Sequence, residues 1–344
     1  MLWRSLCAIL GASLLLSLGI MSLARRAEPQ PPWIVFAGGP DDPQQIYRIH
    51  PDGSGLQRLT NHPQARATAP VYTPDGRQVI FRLQTYPARD YTLVRMSVVG
   101  SRPQAFAPAQ HALSPPSFAP DGTRMTYIHL HFDPRAGRDL PEVMVASTQG
   151  ADARALTNGG IKYQAQWSPS GEWIAFEYDG DIFRVDPAGG RPQQLTYHYS
   201  LDGHPTWSPD GARLAFASSQ TGDMEIYHMA ANGLNIRRVT NYRADDLMPA
   251  WSPDGEWIAF VRFDAQANEF ALYRIRPDGT HAQRLTPPGM RAADPAWSPA
   301  VDLPLGPLPG LLGGLLLALG TVKTRVVFQY AAQTVRQARL RHDA

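Results

Sequence analysis

Trp251-Ser252-Pro253-Asp254-Gly255-Glu256-Trp257-Ile258-Ala259-Phe260 decides the fold, because versions of it return down most of the chain. The aromatic that opens each copy stands at Tyr72, Phe118, Trp167, Trp207, Trp251 and Trp297, giving successive gaps of 46, 49, 40, 44 and 46 residues. Repetition at a fixed period in this range marks a repeat architecture, and six copies predict six units.

The copy at Trp251 shows the internal grammar. A short apolar strand ends in Trp251. Ser-Pro-Asp-Gly then forms a turn: Ser suits its first position, Pro fixes φ at the second and Gly suits the fourth, the signature of type I. Glu256 to Val261 follows as a run apolar at nearly every position, which fits a strand covered on both faces. Leu272-Tyr273-Arg274-Ile275, the turn Pro277-Asp278-Gly279 and Gln283-Arg284-Leu285-Thr286 complete four antiparallel strands. Asp181-Ile182-Phe183-Arg184 with Gln194-Leu195-Thr196, and Glu225-Ile226-Tyr227-His228 with Arg238-Val239-Thr240, repeat the pattern. Four strands in about 45 residues, repeated, predict a β-propeller rather than a helical array.

The first and last copies are incomplete in complementary ways. Trp33-Ile34-Val35-Phe36, Gln45-Ile46-Tyr47-Arg48 and Gln57-Arg58-Leu59-Thr60 supply second, third and fourth strands without a first; Asp294-Pro295-Ala296-Trp297-Ser298-Pro299 is a first strand with no blade after it. The expectation is all-β: a six-bladed β-propeller closed by the C-terminal strand, since closure removes the edges an open array would expose.

At these residues the chain resembles the TolB-like six-bladed propeller family, marked by the repeat P-x-W-S-P-D-G-x-x-I-A-F. The resemblance covers roughly residues 33 to 300. Trp207-Ser-Pro-Asp-Gly and Trp251-Ser-Pro-Asp-Gly match fully; Tyr72-Thr-Pro-Asp-Gly, Phe118-Ala-Pro-Asp-Gly and Trp167-Ser-Pro-Ser-Gly drift by one or two positions. The resemblance implies a role in cell-envelope integrity or transport. The chain departs from TolB in lacking the α/β domain that precedes the propeller there and in carrying a further apolar segment after it.

The formal charge of +2 hides an asymmetry: residues 33–300 carry 24 Lys plus Arg against 27 Asp plus Glu, so 24 − 27 = −3, and the basic surplus lies in the tails. A mildly acidic body without basic clusters argues against a nucleic-acid partner. Residues 1–26 hold an apolar run from Leu6 to Leu23 followed by Arg25 and Arg26, which reads as a signal anchor or signal peptide. The only cysteine, Cys7, lies inside that run, so no structural disulfide is available. Residues 27–32 form a Pro-containing linker. Leu303 to Val322 holds no charged residue and reads as a transmembrane helix starting near Pro309; residues 323–344, with Lys323, Arg325, Arg336, Arg339 and Arg341 against Asp343, read as a basic cytoplasmic tail. The propeller is thus expected to be flanked by N- and C-terminal transmembrane helices and to sit on the periplasmic or extracellular side.

Signatures of catalysis are missing: no G-x-S-x-G elbow, G-x-x-x-x-G-K-[ST] loop, G-x-G-x-x-G or H-E-x-x-H occurs. Only 45 residues follow Pro299, too few for the α/β-hydrolase domain of a propeller peptidase. His198, Asp202 and His204 fall within seven residues and have donor types that suit a metal, but their spacing fits no ligand motif and solvated loop side chains are the favoured reading. His129 and His131 share one face of a strand. Arg243, Asp245 and Asp246 in one loop, with Arg291 and Asp294 in the equivalent loop of the next blade, place charge at matching heights on the rim. No cofactor, metal or catalytic residue is expected.

Turns after first and third strands are short and alike, whereas loops before first strands and between second and third strands vary. The variable end is therefore the expected partner-binding face, carried by His198, Asp202, His204, Arg243, Asp245, Asp246, Arg291 and Asp294. The reading is a non-catalytic, membrane-tethered scaffold for a protein or cell-envelope polymer. A metal-dependent carbohydrate-active lyase is the alternative.

Overall fold

The Ser-Pro-Asp-Gly turn closes as its residue types require. Gly255 N–H donates to Ser252 O at 2.9 Å with Gly255 at φ 72°, a conformation that favours glycine. Ser252 Oγ donates to Asp254 Oδ1 at 2.5 Å and accepts from Trp257 N–H at 2.9 Å, and Asp254 Oδ1 also accepts from Glu256 N–H. The turn around Ser208 and Asp210 repeats this set. In the computed structural model the described residues are 32–300, apart from 41–43, 87–90, 107–111, 198 and 266–267.

The described residues form 24 strands in six four-stranded antiparallel sheets. Blade 1 contains β1 (Ile34–Gly39), β2 (Gln45–Ile49) and β3 (Gln57–Arg58). Blade 2 contains β4 (Ala65–Tyr72), β5 (Gln78–Thr85), β6 (Tyr91–Ser97) and β7 (Gln104–Ala105). Blade 3 contains β8 (Ser117–Phe118), β9 (Arg124–Asp133), β10 (Arg138–Ser147) and β11 (Arg154–Ala155). Blade 4 contains β12 (Lys162–Trp167), β13 (Ile174–Tyr178), β14 (Asp181–Val185) and β15 (Gln193–Gln194). Blade 5 contains β16 (Asp202–Trp207), β17 (Arg213–Thr221), β18 (Asp223–Ala230) and β19 (Arg237–Arg238). Blade 6 contains β20 (Asp246–Trp251), β21 (Ile258–Asp264), β22 (Glu269–Ile275) and β23 (Gln283–Arg284). The last strand, β24 (Arg291–Trp297), pairs antiparallel with β1 through Ile34↔Trp297 and completes blade 1 as the sequence predicts. Trp33 N–H donates to Ser298 Oγ and Ser298 N–H to Trp33 O, so the two ends of the propeller emerge side by side at the end carrying the Ser-Pro-Asp-Gly turns.

Each second strand carries a buried apolar run, and Phe36, Phe81, Phe176, Phe216 and Phe260 lie between neighbouring sheets; toward the far end of β5 and β9 the side chains become exposed, as at Thr85 and Phe132. Two of the opening tryptophans stitch blades together. Trp207 Nε1 donates to Gln166 O of blade 4 at 3.1 Å, and Trp297 Nε1 to Ala250 O of blade 6 at 2.9 Å. The recurring Leu-Thr at the fourth strand has a physical reason. In five blades the Thr hydroxyl (Thr60, Thr157, Thr196, Thr240, Thr286) accepts a backbone N–H from the third strand at 2.8–3.1 Å. It satisfies a donor that a two-residue outer strand leaves unpaired.

Candidate functional site

Loops before first strands and between second and third strands emerge at one end of the ring, the loop end; the short turns emerge at the other, the turn end. Exposed large apolar side chains divide unevenly between them. Of the fourteen among the described residues, only Leu56, Val99 and Leu234 lie at the turn end. The other eleven, 14 − 3, lie at the loop end. Blade 2 gives Tyr86 and Tyr91; the β9–β10 hairpin gives Leu130 and Phe132; Ile161 precedes β12 and Tyr163 is its second residue. Tyr197, Tyr199 and Leu201 precede β16, Tyr242 precedes β20 and Phe270 lies in β22. Tyr199 is fully exposed and Leu201 packs on Gly180.

Of the rim residues expected to face a partner, Arg243, Asp245 and Arg291 are exposed at the loop end, although Asp245 Oδ1 also accepts Met224 N–H. His198 lies outside the described residues. Asp246 and Asp202 correct the expectation of solvated rim charge. Asp246 is fully buried, and both of its carboxylate oxygens accept from Arg262, at 2.7 Å from Nε and 2.8 Å from Nη2. It opens β20, directly opposite Arg262 in β21, where a sheet covered on both faces leaves no water to solvate it. Asp202 opens β16 at the corresponding place, also buried, and accepts Ser200 Oγ–H. His129 is half-buried with its ring edge-on to Tyr127, while His131 is exposed.

His204 and Asp294 are likewise not rim groups: they line an axial cavity of about 520 Å³ to which all six blades contribute. The reason is a repeated bulge. In five first strands the residue three before the opening aromatic has positive φ: Ala69 at 52°, Gln164 at 51°, His204 at 58°, Met248 at 56° and Asp294 at 51°. Each falls where the pairing with the neighbouring strand shifts register. A bulge re-aims the side chain it carries, and a non-glycine residue held at positive φ is uncommon. Pro115 takes this position in blade 3. Sequence reading missed the ring, although the constant offset from the aromatic was visible.

Burial governs the chemistry of these groups. It pushes the His204 imidazole down to about 4, so the ring is neutral near pH 7, and its Nδ1 has no hydrogen-bond partner. Burial raises the Glu177 carboxyl, with the His204 backbone N–H pulling it back, and a Cβ on Gly203 would lie only 2.5 Å from Glu177 Oε2. Asp294 is also raised by burial, opposed by the Ala69 N–H at 3.1 Å and by the charges of Arg82 and Arg66. Among the described residues no three His, Cys, Asp or Glu side chains converge so as to hold a metal. His204 faces the axial cavity, which Asp202 does not line; His198, the third donor weighed with them as a metal set, lies outside the described residues.

Six four-stranded sheets around an axial channel, closed by pairing first and last strands, define a six-bladed β-propeller. Residues 83–303 match the TolB beta propeller domain, and the chain belongs to that family. It is 34% identical over 170 residues to a protein described as a TolB homolog from Chlorobium luteolum, covering 48% of this chain and 37% of that one. An uncharacterized protein of Agrobacterium fabrum is 28% identical over 129 residues, covering 36% of this chain and 43% of that one. The chain thus spans less than half the length of these relatives. The crystal structure of TolB from Acinetobacter baumannii superposes with a TM-score of 0.67 at 20% identity, covering 78% of this chain and 67% of that one, a likeness of fold.

Proposed function

We propose that this chain is a non-catalytic interaction scaffold that takes a protein partner at the loop end of its propeller. The observation that carries the reading is the segregation of exposed apolar side chains, eleven at the loop end against three at the turn end. Six of the eleven are tyrosines, which supply large rigid contact area at low entropic cost and are enriched in protein interfaces. Exposed apolar area gathered at one end of a domain marks a contact surface. Family membership supports an envelope setting, with the propeller on the periplasmic or extracellular side and an envelope polymer as the other ligand class.

The apolar stretches at 6–23 and 303–322 are proposed as membrane tethers; both lie outside the described residues. Among the described residues no helix is long and apolar enough to cross a membrane. A tether attached through residue 33 or residue 298 would join the propeller at its turn end.

Photo-crosslinking tests the reading. With benzoylphenylalanine at Tyr199 or Phe132 of the full chain in cells, a discrete protein adduct is expected. The same group at Val99 or Leu234 should give none. Adducts from the turn end alone, or from neither end, would overturn it.

A further inference from the structure

We infer that the axial channel is a binding site for the ammonium or guanidinium tip of a lysine or arginine side chain, inserted from the loop end by a protein partner. The inference rests on the scaffold reading and adds the chemistry of the residue the partner presents.

The channel offers a neutral imidazole and two carboxyls. His204 Nδ1 is buried without a partner, and the carboxyls of Glu177 and Asp294 each accept one backbone N–H, from His204 and Ala69. The channel's own cation is already committed: Arg82 Nη1 donates to Leu113 O at 3.0 Å, its Nε lies 3.3 Å from Thr68 Oγ1, and its guanidinium stacks 4.5 Å from the Tyr91 ring centroid. Arg66, which also faces Asp294, is held by Gln44 Oε1 at 2.9 and 2.7 Å. A cation brought within a few ångströms of a buried carboxyl favours its charged form, which burial alone opposes. Between the polar groups the walls are Val71, Ile128, Ala165 and Ala250, which suit the alkyl stem of a long side chain with a charged end. Tyr163, half exposed at the start of β12 and lining the same cavity, stands where an entering cation meets an aromatic face. A volume of about 520 Å³ holds one such side chain with its backbone at the mouth.

The test uses the purified full chain in detergent with agmatine and n-butylammonium as probes, titrated calorimetrically at pH 6. Saturable one-to-one binding is expected, weakened at least tenfold in Glu177→Gln and in Asp294→Asn. Gln164→Lys, which places a cation on the ring from the protein's own chain, should compete and weaken binding without removing either carboxyl. It serves also if the first two variants prove unfolded by circular dichroism. Absence of saturable binding, binding unchanged in all three variants, or displacement of both probes by equimolar calcium or manganese would overturn the inference, the last making the channel a metal site. Probe binding with no crosslinked partner at Tyr199 would sink the scaffold reading alone. A crosslinked partner with no probe binding would sink this inference alone.

Discussion

Substituting Asp246 by Ala should be among the most destabilising single changes in the propeller, and the reasoning is open to direct refutation. Asp246 is fully buried, Arg262 is 8% exposed, and two hydrogen bonds of 2.7 and 2.8 Å join them across β20 and β21. The truncation leaves a buried guanidinium with its charge unmatched. The ring faces of Tyr242, Phe260 and Tyr273, with centroids 4.4–5.3 Å from the Arg262 guanidinium carbon, replace only part of the lost interaction. Glu225, whose charge also acts on Arg262, already accepts from Arg238 and from the Thr240 hydroxyl. Removing one partner of a buried pair costs about 3–5 kcal/mol, a large share of the roughly 5–15 kcal/mol by which a domain is stable. Replacing the pair by apolar residues of similar size, Asp246→Leu with Arg262→Met, should recover most of the loss, because no buried charge then remains. Urea unfolding followed by tryptophan fluorescence measures both variants. A loss below about 1 kcal/mol for Asp246→Ala would show a solvated rim charge and refute the argument.

Trp297→Ala should cost about 3–5 kcal/mol by opening the seam between blades 6 and 1, whereas Val99→Ala, at an exposed turn, should stay within about 0.5 kcal/mol in the same unfolding assay. Thr240→Val should cost about 1–3 kcal/mol, because Ile226 N–H and Glu225 each lose a partner; thermal melting checks it. His204 makes stability depend on pH. Its folded-state value of about 4 lies below the ordinary 6.5, so the unfolded chain binds the proton first and stability falls as pH drops from 6.5 to 4. Glu177 and Asp294, raised in the folded state, act in the opposite sense as pH falls. The difference between the parent protein and His204→Gln isolates the imidazole. It should shrink by roughly 3 kcal/mol across that window, and parallel pH curves would contradict the burial argument.

The fold was legible because its signals are local. Ser-Pro-Asp-Gly fixes a turn through its own side chains, and Leu-Thr recurs because the Thr hydroxyl satisfies a strand donor fourteen residues upstream. Even so, β21 begins at Ile258 rather than Glu256, since the turn's Asp254 holds Glu256 N–H outside the ladder. The site was less legible because burial at a strand's first residue depends on what lies across from it. Asp246 reads as loop charge until its register partner Arg262 is known, a pairing that opposite charges sixteen residues apart hint at. His204 and Asp294 are aimed inward by bulges at positive φ, and residues as different as Ala69, Gln164 and Met248 adopt the same conformation, so residue type gives no warning of it.

The pairing of Ile34 with Trp297 also bears on how the chain acquires its shape over time. Blades 2 to 6 are each built from one continuous stretch and can nucleate as synthesis proceeds. Blade 1 has to wait until its innermost strand, the last to be made, reaches β1 across a loop of some 260 residues. Closing such a loop costs little more entropy than closing one half as long, about 0.6 kcal/mol per doubling, but contacts this distant in sequence form slowly. Until then the core-facing sides of blade 6 and of the unfinished blade remain open, and the nascent protein resembles an open ring, vulnerable to edge pairing between chains. A polypeptide crossing a membrane before folding would meet this interval on the far side, where the final strand's arrival sets the moment at which the ring is sealed.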